Sequence, residues 1–148
     1  MTSVIEPICG RYLQLRIADV GHRIYFEEAG SGQPVVLLHT AGADTRQWRF
    51  VLNDRELTAS HRFITFDMPW HGKSLPPDGF ETAEYLLTTE AYIDTVLALC
   101  AALKLEKPIL VGCSMGGRIA LQIAALHSER FGGFIAVEAS DFQPAWYD

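Results

Sequence analysis

The stretch that most constrains the fold is residues 108–131, where a short apolar run leads through a glycine-rich turn into a segment with helical spacing. The apolar run is Ile-Leu-Val at 109–111, and the turn is Gly-Cys-Ser-Met-Gly-Gly at 112–117. This pattern predicts a strand, a sharp turn with Ser114 at its apex, and a helix. Glycines flank Ser114 two residues away on either side, and a residue without a Cβ lets the strand and the helix approach closely.

The rest of the chain alternates strand and helix patterns. Residues 11–18 and 23–28 predict an antiparallel hairpin. Three apolar runs are typical of strands buried on both faces of a parallel sheet: residues 35–38, 63–66 and 134–137. Two further segments have helical spacing: residues 45–58, with Asp44 or Thr45 as N-cap, and residues 89–104. We therefore expect an α/β fold with a mostly parallel, doubly wound sheet and an N-terminal antiparallel hairpin.

Length, charge and cysteine usage narrow the class of protein. A chain of 148 residues predicts one domain. The formal net charge is −6 and the basic residues are scattered singly, which argues against nucleic acid and anionic membrane surfaces as partners. No apolar run approaches membrane-spanning length, and no signal peptide is visible. The three cysteines are far apart and fit reduced thiols, so we expect a cytoplasmic protein.

The turn at Ser114 resembles the G-x-S-x-G nucleophile elbow of the α/β-hydrolase family. The resemblance implies that Ser114 is the nucleophile and that the Met115 N–H is one donor of an oxyanion hole. His-Thr-Ala-Gly at 39–42 follows a strand where the family carries an H-G motif with the other donor. Ala41 is the better match for that donor, while Thr40 stands where the family usually has glycine.

Other residues of these motifs allow more than one interpretation. His39, Thr40 and Cys113 are candidates for substrate contact, although residues 39–42 also fit a plain strand-to-helix loop with a buried histidine, and Cys113 fits a small buried hydrophobe. The Asp-Met-Pro-Trp-His-Gly-Lys-Ser stretch at 67–74 resembles a structural turn of the family, D-x-P-G-H-G-x-S, with Trp70 replacing the first glycine. The resemblance implies neither a metal nor an organic cofactor.

The other triad members are harder to place. Glu138 follows the sixth strand, where a minority of the family has its acid; it also fits a solvated or capping glutamate, and Asp141 is the second choice. All five histidines precede that strand, whereas the family's catalytic histidine follows the eighth. His71 as the base is opposed by the chain order Ser, acid, His.

The resemblance implies a serine hydrolase acting on a small-molecule acyl substrate. It makes residues 1–141 the N-terminal part of the core, through strand six, and residues 142–148 the start of a cap or linker. The missing histidine, and a sixth strand that would otherwise be an unprotected edge, predict a cleaved chain with a C-terminal companion fragment. The alternatives are a lyase or acyltransferase on the same fold, and a non-catalytic binding or scaffold protein.

Overall fold

The computed structural model describes residues 5–82, 84 and 86–139, and within them six strands form one sheet. The strands are β1 (Cys9–Ile17), β2 (Val20–Gly30), β3 (Gln33–Leu38), β4 (His61–Phe66), β5 (Ile109–Cys113) and β6 (Gly133–Val137). Their order across the sheet is β1-β2-β4-β3-β5-β6. β1, β2 and β4 pair antiparallel in succession, whereas β4, β3, β5 and β6 run parallel. This confirms the predicted mixed sheet with an N-terminal hairpin.

The hairpin turn is tighter than the sequence suggested. Ile17 pairs with Val20, so only Ala18 and Asp19 lie in the loop, with φ of 47° and 65°. Two consecutive positive φ values give a turn whose twist matches that of the flanking strands.

Short and long helices cover the sheet. The helices of the described residues are α1 (Arg49–Leu52), α2 (Arg55–Thr58), α3 (Thr89–Ala102) and α4 (Met115–His127), with 3₁₀ turns at Thr45–Trp48 and Ser128–Arg130. The prediction of one helix over residues 45–58 is wrong. The Asp54 carboxylate accepts hydrogen bonds from the N–H groups of Glu56 (2.9 Å) and Leu57 (3.0 Å), so it begins a new helix inside that segment.

The apolar run of β3 is buried on both faces. Val36 and Leu38 pack in the cluster that contains the buried sides of α3 and α4. Val35 and Leu37 face the other way and pack with Leu52 of α1. Helices therefore cover both faces of the sheet, which confirms the doubly wound arrangement.

β6 lies at an edge of this sheet. It pairs only with β5 among the described residues, and its side chains Ile135 and Val137 are 53% and 41% exposed. β6 contains neither proline nor a charged residue, the features that usually protect an edge. Residues 140–148, including Asp141 and the proposed cap or linker, lie outside the described residues, and the domain boundary at residue 141 stays a prediction.

Among the described residues, no helix is both long and apolar enough to span a lipid bilayer.

Candidate active site at the carboxyl edge of the sheet

Ser114 connects β5 to α4 in a conformation that is rare for a residue with a side chain. Its φ is 52° and its ψ is −113°. The Ser114 N–H donates to the Val137 carbonyl at 2.9 Å, and its carbonyl accepts from the Arg118 N–H at 2.8 Å. A backbone in this sparsely populated region costs on the order of 1–3 kcal/mol. The junction of strand and helix therefore holds a strained serine at the carboxyl edge of the sheet.

Glycines let three backbone segments meet at this serine. A Cβ on Gly112 would overlap the Gly116 carbonyl group, so the strand and the helix are in backbone contact. A Cβ on Gly116 would lie 2.6 Å from the Leu38 carbonyl oxygen and 2.8 Å from that of His39. The loop after β3 therefore packs directly against the start of α4.

Two backbone N–H groups at this junction are those predicted to be oxyanion donors. Met115 is the first residue of α4, where N–H groups have no partner within the helix. Ala41 is exposed in the turn that the Ala43 N–H closes on the Thr40 carbonyl at 3.2 Å, and its own N–H has no partner among the described residues. The Thr40 N–H instead donates to the Gln47 side chain at 2.9 Å. Of the two neighbours, Ala41 is therefore the one with a free donor.

The His39 side chain supports the loop that follows β3. Its ring is fully buried; Nε2 accepts from the Met68 N–H at 3.2 Å, and Nδ1 lies 2.8 Å from the Thr40 carbonyl. Because Nε2 is the acceptor, Nδ1 carries the proton and donates to that carbonyl. Burial lowers the pKa of the His39 imidazole, so the ring is neutral at neutral pH. The geometry does not support the expected substrate contact through His39, because neither ring nitrogen is accessible.

Asp67 holds the loop that follows β4. It is 1% exposed, and its carboxylate accepts from the Thr45 N–H and the Lys73 N–H, each at 2.7 Å. The Ser74 hydroxyl donates to the Asp67 carbonyl at 2.6 Å and accepts from the Tyr25 N–H at 2.9 Å. The structural interpretation of this turn is confirmed.

Replacing Asp67 by alanine should lower the free energy of unfolding by about 2–4 kcal/mol, because two N–H groups lose their acceptor. Urea denaturation measures the change. Asp94→Ala, which removes an exposed carboxylate from α3, is the matched control. Equal effects of the two substitutions would show that the Asp67 bonds do not stabilise the loop.

The same loop departs from the family pattern at Trp70. Trp70 has a φ of 68°, the left-handed region that glycine adopts without strain, which explains the glycine usual at this position. Its ring meets Phe80 edge to face, with 5.4 Å between centroids. His71 follows, with Nδ1 3.0 Å from the Pro69 carbonyl and its ring centroid 5.1 Å from that of His39.

Two further candidates adjoin the serine. Glu138 directly follows Val137, whose carbonyl accepts from Ser114; it is exposed and has a φ of 49°. Cys113 is half-buried and pairs with Val137 across the β5–β6 ladder. The structure thus brings Glu138 and Cys113 to the elbow, while their roles in chemistry stay predictions.

Two residues beside the site were not predicted from the sequence. Gln47 reaches Thr40 only because the 3₁₀ turn folds back on the loop. Arg118 is 6% exposed, and the signal for it was a charged residue within the apolar stripe of α4. No group of three or more histidine, cysteine or acidic side chains in the described part of the chain is arranged to hold a metal ion.

Comparison with known proteins agrees with the fold described above. A family model described as alpha/beta hydrolase fold matches residues 33–147. The chain is 33% identical to 2-hydroxymuconate semialdehyde hydrolase of Pseudomonas sp. (strain CF600), over 84% of this chain and 41% of that protein. It is 38% identical to the dihydrolipoyllysine-residue acetyltransferase component of the acetoin cleaving system of Pseudomonas putida, over 76% of this chain and 29% of that protein.

Solved structures show the same likeness. An esterase from Thermogutta terrifontis matches with a TM-score of 0.77 and 27% identity, over 90% of this chain and 48% of that one. An esterase from Exiguobacterium antarcticum matches with a TM-score of 0.70 and 33% identity, over 85% and 44% of the two chains. The chain therefore spans less than half the length of these relatives.

Proposed function

The chain belongs to the alpha/beta hydrolase fold family, and on that premise we propose that it carries the nucleophile and the oxyanion hole of a serine hydrolase. Ser114 is the nucleophile, and the N–H groups of Ala41 and Met115 are the oxyanion donors. The substrate is a small molecule with an ester, thioester, amide or activated C–C bond next to a carbonyl. The relatives named as hydrolases and esterases support this class of reaction.

One observation carries the proposal: a strained serine stands where the backbones of β5, α4 and the β3 loop meet. A plain connection has no need of a serine with φ of 52°, since glycine takes that conformation at lower cost. An elbow of this kind positions a hydroxyl beside unpartnered N–H groups and the positive end of a helix.

The proposed reaction has two acyl-transfer steps. The Ser114 hydroxyl oxygen attacks the substrate carbonyl carbon while its proton passes to a base. Negative charge then develops on the carbonyl oxygen, where the Ala41 and Met115 N–H groups donate hydrogen bonds. Collapse of this intermediate expels the leaving group with a proton. Water then attacks the acyl-serine, and the carboxylic acid departs as the hydroxyl is restored.

The base belongs to a further part of the protein in this proposal. Both ring nitrogens of His39 are engaged by the backbone, and Nδ1 of His71 lies against the Pro69 carbonyl. We assign the acid to Glu138 or to a residue of the same further part. The open edge of β6, with Ile135 and Val137 exposed, is where additional strands would pair.

We expect a companion fragment of about one hundred residues or more, enough to complete a domain of ordinary size. Native mass spectrometry should show the two polypeptides together, and the complex should be required for turnover. A monodisperse monomer of this chain alone that unfolds cooperatively would contradict the proposal of a companion fragment. A single longer polypeptide would also overturn it, while leaving the role of Ser114 intact.

Isotope labelling tests whether the acyl group is transferred to water. The native protein is given short-chain p-nitrophenyl esters in water enriched in oxygen-18. Hydrolysis through an acyl-serine places one labelled oxygen in each carboxylate product, and the Ser114→Ala variant serves as the blank. Absence of turnover in a folded complex would favour the binding or scaffold alternative.

Acyl transfer to another acceptor is the second candidate. The observation that favours it is the 38% identity to a protein named as an acetyltransferase component. With a thiol present in the same experiment, a transferase gives an unlabelled thioester as the main product. A hydrolase gives the labelled acid.

A further inference from the structure

A cavity of about 320 Å³ lies between the β1–β2 turn, the loop after β4 and the amino end of α3. Its volume falls in the lower part of the range for small-molecule pockets, about 300–1,000 Å³. Its walls are mainly apolar and include Ile17, Val20, Trp70, Phe80, Leu86 and Leu87. None of the residues proposed for the reaction lines it.

The charged groups of the cavity have one sign. Glu84 and Asp94 are its only charged lining residues in the described part of the chain, and both are exposed carboxylates. Neither lysine nor arginine is present among those lining residues to balance them. A bound cation would therefore be favoured over a bound anion.

The cavity wall also contains an imidazole and aromatic side chains. Nδ1 of His22, another lining residue, is buried without a hydrogen-bond partner among the described residues. Burial lowers the pKa of this imidazole despite the nearby Asp78, so the ring is neutral at neutral pH and has one nitrogen that accepts. Trp70 and Phe80, which meet edge to face, both line the cavity and are 41% and 39% exposed. Aromatic faces attract cations as well as apolar groups.

We propose that this cavity binds a small organic ammonium ion with an aromatic or other apolar body. The apolar body fills the space between Trp70, Phe80 and Leu87, and the ammonium group lies at the rim beside Glu84 and Asp94. The residues of this site differ from those of the reaction proposed at Ser114. The binding proposal therefore does not depend on that reaction.

Three probes of similar size and different charge test the proposal on the native protein: 2-phenylethylammonium, 2-phenylethanol and 3-phenylpropionate. Nuclear magnetic resonance titration, followed at the Trp70 indole N–H, reports binding at this cavity. We expect the cation to bind most tightly and the anion most weakly. Equal or tighter binding of the anion, or shifts that spare Trp70, would overturn the proposal.

Variants separate the charge from the apolar wall. Asp94→Asn should weaken binding of the cation about threefold and leave 2-phenylethanol unchanged, as expected for one partly exposed ion pair. Glu90→Gln is the matched control, because Glu90 is exposed on the same helix and does not line the cavity. Phe80→Ala should weaken both the cation and the alcohol by about tenfold, because an aromatic wall is lost. Equal effects of Asp94→Asn and Glu90→Gln on the cation would overturn the assignment of the ammonium group.

Discussion

Replacing Ser114 by alanine should lower turnover of the native protein by about a thousandfold or more, since a missing nucleophile removes the acyl-serine route. The fold should persist, because alanine keeps the same backbone and loses only a hydroxyl. We expect the free energy of unfolding to change by less than about 1 kcal/mol. Steady-state kinetics on an ester substrate, with urea denaturation in parallel, measures both quantities.

Cys113→Ala is the matched control for this prediction, because it removes the thiol, the other nucleophilic side chain in the turn at residues 112–117. It should retain most of the turnover. A modest loss with Ser114→Ala, or an equal loss with Cys113→Ala, would contradict the assignment of the nucleophile.

Replacing Gly112 by alanine should lower the free energy of unfolding by about 3 kcal/mol or more, because the new Cβ meets backbone that cannot rotate away. That Cβ would overlap the carbonyl group of Gly116, so either β5 or α4 must shift. The shift should displace Ser114 from the proposed donors at Ala41 and Met115, and turnover per folded molecule should fall as well. Urea denaturation and ester kinetics measure the two effects.

Gly133→Ala is the control for Gly112→Ala. Gly133 also lies in a strand of this sheet, and a Cβ there has no neighbour within 4 Å. Its replacement should be nearly neutral, or slightly stabilising through the unfolded chain. If Gly112→Ala proves no more harmful than Gly133→Ala, the close contact of strand and helix does not constrain the elbow.

Most of the fold was predictable from patterns of residues that lie close together in the sequence. The hairpin follows from alternating polar and apolar residues, and β3 and β4 follow from short apolar runs. The helix α3 follows from apolar residues at helical spacing. Burial sets each of these patterns. The elbow was predictable because one short segment contains the strand, the glycines, Ser114 and the helix. The break in residues 45–58 was missed because Asp54 caps a helix within a segment whose apolar spacing looks continuous.

Contacts between distant segments explain what the sequence could not predict. His39 is a polar residue beside the site, and only its bond to the Met68 N–H, 29 residues away, shows that it supports a loop. The sequence predicted Ala41 as the donor by its position, and it gave no sign that the Gln47 side chain accepts a hydrogen bond from the Thr40 N–H. The cavity beside Trp70 requires three segments that are distant in sequence, and no motif indicates it.

Covalent labelling tests the central claim, that Ser114 is an activated nucleophile, most directly. The native protein is treated with a fluorophosphonate probe and digested with trypsin, and the peptide that ends at Arg118 is fragmented to locate the adduct between Cys113 and Ser114. We predict an adduct on Ser114 that is absent from the heat-denatured protein and from Ser114→Ala. A folded native protein with no adduct, or with the adduct on Cys113, would contradict the claim.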